Sequence, residues 1–174
     1  ANCVHYYPFV LGAQPVRPID LAAFYATIQN AGGRPTPHVI EPIALDGWTV
    51  YQAKEELSFM PSVDRAAMFQ LRGILQGVVA RGTARRLSAL ANVIGGKTGT
   101  SDEFNDSWFI GFSNDVTIAV WVGYDNAKGR RTLGAGQAGS RVALPIFDSV
   151  MQAVWTRIAP RTALVGPSRE ASRR

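Results

Sequence analysis

The chain has 174 residues, 47% of them hydrophobic and 18% charged, with a net charge of +5. These are the proportions of a soluble globular domain long enough to bury a sizeable core. No apolar run is long enough to span a bilayer, Ala1 to Val10 lacks the basic start and apolar stretch of a signal peptide, and the lone Cys3 excludes an internal disulfide. One cysteine suits a cytosolic protein and an envelope protein equally. The positive charge is mostly arginine, grouped at Arg81, Arg85 and Arg86, at Arg130 and Arg131, and in the tail. No aromatic residues interleave with it as a nucleic-acid surface requires, so it reads as solvated loops and a loose terminus.

Pro18 to Ala31 has the pattern of a helix, with Leu21, Phe24, Tyr25 and Ile28 on one stripe and Gly32-Gly33 at its end. Val39 to Leu45 and Trp48 to Tyr51 form a predicted hairpin, because Asp46-Gly47 between them suits two positive-φ turn positions. Ser62 to Arg81 is the longest predicted helix, with Met68, Leu71, Leu75 and Val78 on one face and Gly82 as a left-handed C-terminal cap. Val93 to Thr100, Trp108 to Phe112 and Val116 to Tyr124 come next as strands, the last two joined by Ser113-Asn114-Asp115. Both faces of the third are apolar, which predicts a central strand covered on both sides. Asp125 to Arg141 is a Gly-rich loop, and Leu144 to Ile158 a final helix buried through Phe147, Val150, Val154 and Ile158. Pro160 onward is polar and Arg-rich, as in a disordered tail. Strands joined by tight turns are antiparallel, so the order predicts an α+β fold, an antiparallel sheet flanked by helices.

Gly95-Gly96-Lys97-Thr98-Gly99-Thr100 is the sharpest local feature. It fails as a phosphate loop: the pattern G-x-x-x-x-G-K-[ST] puts a glycine where Ala91 stands, and the residues after it read as strand rather than helix. As a strand it makes chemical sense. Lys97 supplies a fixed cation beside a nucleophile. Thr98 and Thr100 alternate with Gly99, so both hydroxyls point the same way and can hold a carboxylate. Gly99 lets a substrate backbone lie close to the edge. Gly134-Ala135-Gly136-Gln137-Ala138-Gly139 is a literal G-x-G-x-x-G, but a long stretch separates it from the preceding strand and no strand comes after the last helix. It reads as a flexible loop, not a cofactor site. His5 and His38 are far apart and have no cysteine beside them, so neither a metal nor a cofactor is expected. Glu55-Glu56 and Asp102-Glu103 read as surface charges, the latter pair near the motif's rim. Trp108 and Trp121 read as core.

The Lys-Thr-Gly tripeptide is a signature of penicillin-binding proteins and class A β-lactamases. Its flanks carry more weight. Val78-Val79-Ala80-Arg81-Gly82-Thr83-Ala84, then the motif, then Asp106-Ser107-Trp108-Phe109-Ile110-Gly111-Phe112, then Val120-Trp121-Val122-Gly123-Tyr124-Asp125 resemble in order and spacing the C-terminal half of the transpeptidase domain of class A penicillin-binding proteins. Leu11-Gly12-Ala13, Asn30-Ala31-Gly32-Gly33 and Ala143-Leu144-Pro145-Ile146-Phe147 resemble it too, so the likeness runs from about residue 11 to 158. It implies a β-lactamase/transpeptidase-like fold, incomplete in this chain, over residues 1–160, with 161–174 as tail. It also implies roles. Lys97 would hydrogen-bond a second catalytic serine and favour an anionic substrate. Thr98, Gly99 and Thr100 would bind the carboxylate of a stem peptide or β-lactam. The Thr100 N–H would form half of an oxyanion hole. The Gly-rich loop would border the cleft.

Two family motifs are missing. Tyr51, Ile94 and Asp125 stand where Ser-x-x-Lys would need a serine before Lys54, Lys97 and Lys128, and no serine is followed by Asn in a Ser-x-Asn pattern. The reading is therefore a piece of a peptidoglycan D,D-transpeptidase, without its nucleophile and inactive alone. Its expected partners are stem peptides, β-lactams and the missing N-terminal half of the domain, with no nucleic acid. The expected location is the extracytoplasmic side of the bacterial inner membrane, contacted only through an upstream anchor. A D,D-carboxypeptidase, a β-lactamase or a non-catalytic carboxylate-binding module are the alternatives, and upstream sequence separates them.

Overall fold

The computed structural model of the chain describes residues 12, 14–40, 42–54, 56–59, 63–124, 129 and 131–164. Helix α1 (Pro18–Gln29) opens on a proline, whose fixed φ and missing N–H suit a first turn. Arg17 forks onto Asp20 across that turn, Nε to Oδ2 at 2.7 Å and Nη2 to Oδ1 at 2.9 Å, and this bond holds the Asp20 carboxyl below its usual range. Ala23, Thr27 and Ile28 are the buried positions of α1. Phe24, expected on that stripe, is 54% exposed. Small Ala23 faces inward instead, so the helix lies close to the sheet and the bulky ring swings off it.

Short strands β1 (Gly33–Pro35), β2 (Ile43–Leu45), β3 (Trp48–Tyr51) and β4 (Leu57–Phe59) come next. The β2–β3 hairpin turns on Asp46 at φ 50° and Gly47 at φ 81°, as the Asp-Gly pair predicts. The β1–β4 pairing has no signal in the sequence beyond Gly33, whose missing Cβ leaves space for Phe59 and Leu57. Helix α2 (Arg65–Arg81) starts after Asp64, whose carboxylate accepts the Ala66 N–H at 2.9 Å as an N-cap. Arg72 on this helix is buried over the Phe69 ring, and burial lowers its pKa. Gly82 ends α2, but not in the left-handed conformation expected: its φ is −98° and its ψ −149°. Close approach demands the glycine here, since a Cβ would stand 2.8 Å from Val78 Cα and 2.9 Å from its carbonyl oxygen. A 3₁₀ segment, Arg85–Leu90, comes next and buries Leu87 and Leu90.

Strands β5 (Gly95–Thr100), β6 (Asp106–Phe112) and β7 (Thr117–Gly123) form an antiparallel sheet in the order β5-β6-β7. In register, Lys97 faces Ile110 and Trp108 faces both Gly99 and Trp121. The third strand is thus an edge, not the central strand its two apolar faces predict. Those faces report cover by α1 and by the last helix, α3 (Ala143–Arg157), and say nothing about neighbours within the sheet. β6 is the middle strand and buries Ser107, Phe109, Ile110 and Phe112.

The main core joins Val79, Ile94, Phe109, Val120, Leu144, Phe147 and Met151, with the Phe109 and Phe147 rings 4.7 Å apart edge to face. A smaller cluster of Ile28, Leu75 and Phe112 lies between α1, α2 and β6. On α3 the buried positions are Ala143, Leu144, Phe147, Met151 and Val154, while Val150 and Ile158, expected to be buried, are exposed. Arg161 to Leu164, part of the stretch expected to be loose, run along the body: Asn114 donates to Thr162 Oγ1 and Ala163 O, and the Leu164 N–H to Asn92 O. Residues 165–174 lie outside the described residues, as do Cys3, His5 and Glu55. His38 Nδ1 lies 3.3 Å from the Thr36 carbonyl oxygen, and no group of His, Cys, Asp or Glu among the described residues could hold a metal. No described helix is long and apolar enough to cross a membrane.

Residues 43 to 59 bury little. Trp48 is 78% exposed, Leu45 63% and Phe59 56%. Apolar surface gathered in this way marks a contact face. The isolated chain is therefore expected to self-associate at micromolar concentration in sedimentation velocity. A compact monomer that binds no apolar dye would contradict this.

Candidate active site

The expected site residues lie together on β5, at the free edge of the sheet. Lys97 is in mid-strand and opens no helix, which removes the phosphate-loop reading. Glycines hold the strand in place. A Cβ on Gly95 would stand 2.7 Å from the Phe112 ring, and one on Gly96 2.7 Å from both Ile110 O and the Phe109 ring. Only bare backbone passes here.

Hydrogen bonding fixes which backbone groups face outward. The Ser101 N–H donates to Asp106 O at 3.1 Å, which makes that pair inward-bonded. By the alternation of an antiparallel ladder, Gly99 and Lys97 also bond inward, and Thr98 and Thr100 turn their N–H and C=O to the open edge. The Thr98 carbonyl agrees: it accepts Lys97 Nζ at 2.8 Å. The Thr100 N–H, expected as half of an oxyanion hole, therefore faces the open edge.

Both threonine hydroxyls have partners from outside the strand. Thr98 Oγ1 lies 2.7 Å from Thr83 Oγ1, in the turn after α2. Thr100 Oγ1 accepts the Gly139 N–H at 3.1 Å. A Cβ on Gly139 would collide with Trp108 O and stand 2.6 Å from Gly99 O, so the loop presses directly on the strand. Further bonds fasten it: Leu133 N to Phe104 O at 2.9 Å, and Thr132 Oγ1 to Glu103 O at 2.6 Å. The part of the Gly-rich loop from 131 to 139 is thus a clamp, where the sequence suggests flexibility. Residues 125–128 and 130 lie outside the described residues.

At the far end of the motif, Glu103 and Phe104 both adopt φ 57°, a tight turn closed by Ser101 Oγ accepting the Asp106 N–H at 2.8 Å. Trp121 Nε1 donates to Asp106 Oδ1 at 3.0 Å, and its ring lies 6.1 Å from that of Trp108. Both rings are half-buried and brace the turn. Sequence reasoning did not single out Thr83 or Gly139. The first lies in the Arg81-Gly82-Thr83-Ala84 block, the second ends the G-x-G-x-x-G. This edge strand therefore carries a lysine, two hydroxyls on one face and outward N–H groups, a set of hydrogen-bond donors and one cation along a single open edge.

The family model for the penicillin-binding protein transpeptidase domain matches residues 10–152. The chain belongs to this family. Penicillin-binding protein 1A of Aquifex aeolicus is 39% identical over 91% of this chain, and that of Rickettsia bellii 35% over 83%. The chain spans only 21% of the length of each. A crystal structure of penicillin-binding protein 1A from Haemophilus influenzae superposes with a TM-score of 0.78 over 92% of this chain and 29% of that one, at 24% identity, and shares the fold.

Among the described glycines, Gly139 leaves the least room for a Cβ, 2.3 Å from Trp108 O. Gly139→Ala is expected to destabilise the chain by roughly 1–3 kcal/mol through overpacking. It should also release the 131–142 loop, raising hydrogen exchange there. An unchanged urea midpoint with unchanged exchange would show that the loop does not press on β5.

Proposed function

We propose that this chain is the substrate-side portion of a peptidoglycan D-Ala-D-Ala transpeptidase, and that β5 binds the C-terminal carboxylate of a stem peptide. One observation carries the reading: Lys97, two hydroxyls on one face and outward backbone N–H groups share one free strand edge. The peptide lies along that edge with its carboxylate on Thr98 and Thr100. Lys97 adds positive charge where the anion arrives. The scissile carbonyl oxygen sits against the Thr100 N–H, which stabilises the charge that develops there.

The attacking serine belongs to a part of the parent outside this chain, since no Ser-x-x-Lys occurs in it. Serine attack expels the terminal D-alanine and leaves an acyl ester. The amine of a second stem peptide then takes the acyl group and restores the serine. A β-lactam enters by the same route, its carboxylate on the same hydroxyls. The N-terminal half of the domain closes on the exposed apolar surface and completes the sheet. Function on this substrate puts the parent at the extracytoplasmic face of the bacterial inner membrane, held by an anchor outside this chain.

The reading predicts that the isolated chain forms no covalent adduct with a β-lactam, because an unassisted hydroxyl is a poor nucleophile at neutral pH. Intact-mass spectrometry after incubation with a labelled penicillin tests this beside the full-length parent. The parent should gain one adduct and the chain none. An adduct on the chain would reveal an unrecognised nucleophile. A parent that carries both upstream motifs and still fails to acylate would overturn the assignment.

A further inference from the structure

We propose that Thr83 is a positioning residue that, by donating to Thr98 Oγ1, orients and polarises the Thr98 hydroxyl to donate to the substrate carboxylate, as the Gly139 amide does for Thr100. The inference rests on the transpeptidase reading and deepens it. A hydroxyl has one hydrogen to give and two lone pairs to accept with. Thr100 Oγ1 accepts from the Gly139 N–H at 3.1 Å. A backbone N–H cannot accept in return, so the Thr100 hydrogen stays available for a ligand.

Thr98 faces a different partner. Its Oγ1 lies 2.7 Å from Thr83 Oγ1, and either oxygen can donate. If Thr98 donates, its hydrogen is spent and it offers only lone pairs to the arriving anion. If Thr83 donates, Thr98 keeps its hydrogen and is polarised by the bond it accepts. A carboxylate, which only accepts, selects the second state. Thr98 and Thr100 alternate along β5 and share a face, so the two freed hydrogens serve one anion.

Thr83 can do this because its turn is fixed. The N–H groups of Gly82 and Ala84 both donate to Val78 O, at 3.0 and 3.2 Å. Ala84 is wholly buried on the inner side, and Gly82 lies against Val78 with no room for a Cβ. Thr83 itself is exposed, so solvent can satisfy the rest of its hydroxyl.

The test uses the full-length parent and compares acylation by benzylpenicillin with acylation by its methyl ester, whose carboxylate is masked. Thr83→Val removes the donor that orients and polarises the Thr98 hydroxyl and should slow benzylpenicillin acylation about fivefold, the weight of one neutral hydrogen bond. It should leave the ester rate unchanged, and Thr83→Ser should restore the parent rate on both. A fall on both substrates alike would show a structural role and overturn the proposal, as would parent-like Thr83→Val or a Thr83→Ser as slow as Thr83→Val. If Thr83→Val does not fold, Thr83→Ala carries the same comparison. Thr98→Val separates the two readings. If it slows benzylpenicillin while Thr83→Val does not, only the positioning role fails. If Thr98→Val has no effect, the carboxylate site on β5 fails, and the positioning role with it.

Discussion

Backbone contact between β5 and β6 sets the position of everything in the site. Phe109, Phe112 and Phe147 fill the space on either side of the sheet, and no room remains for side chains at Gly95, Gly96 or Gly111. Each glycine in a strand costs about 0.5–1 kcal/mol against alanine. A fully buried phenylalanine returns about 1.5–3 kcal/mol, so the exchange favours the tight sheet. The consequence for function is geometric. β5 is located by the core behind it, and its outer edge is in place before any ligand arrives. On the transpeptidase reading proposed above, donors held in this way need no rearrangement when charge develops against them.

Much of this was legible. Lysine, glycine and threonine in alternation define a strand with hydroxyls on one face, and Asp46-Gly47 defines a hairpin, because both patterns depend only on neighbours in sequence. What stayed hidden depends on distant contacts. An apolar strand looks the same whether helices or strands cover it, so β7 could not be recognised as an edge. Phe24 and Ala23 are adjacent on a helix, and which one faces the sheet depends on how near the sheet lies. Gly82 and Gly139 are both needed for what presses on them, Val78 in one case and Gly99 with Trp108 in the other. Composition cannot distinguish a glycine kept for close packing from one kept for flexibility. The loop holding Gly139 was therefore legible only as flexible.

The chain divides into a part that supports itself and a part that does not. Helix α3, the 3₁₀ segment and the sheet share one buried cluster, and the residues around the motif belong to it. Strands β2, β3 and β4 have only exposed positions. A two-stranded hairpin is marginal in water without a packed face. These strands gain that face only when something covers them, whereas β5 needs nothing beyond the chain to hold its shape.

The two edges of the sheet differ in the same sense. The Ser113 N–H donates to Val116 O, so by alternation Thr117, Ala119, Trp121 and Gly123 turn their backbone groups to the outer side of β7. None of these four residues is charged and none is proline, so this edge lacks the usual devices that discourage pairing. At the β5 edge, Lys97 lies over the Thr98 carbonyl and the hydroxyls carry partners of their own. An edge with a charge folded over it suits an occupant that comes and goes, because the lysine can move aside for each one. A bare apolar edge suits an occupant that stays.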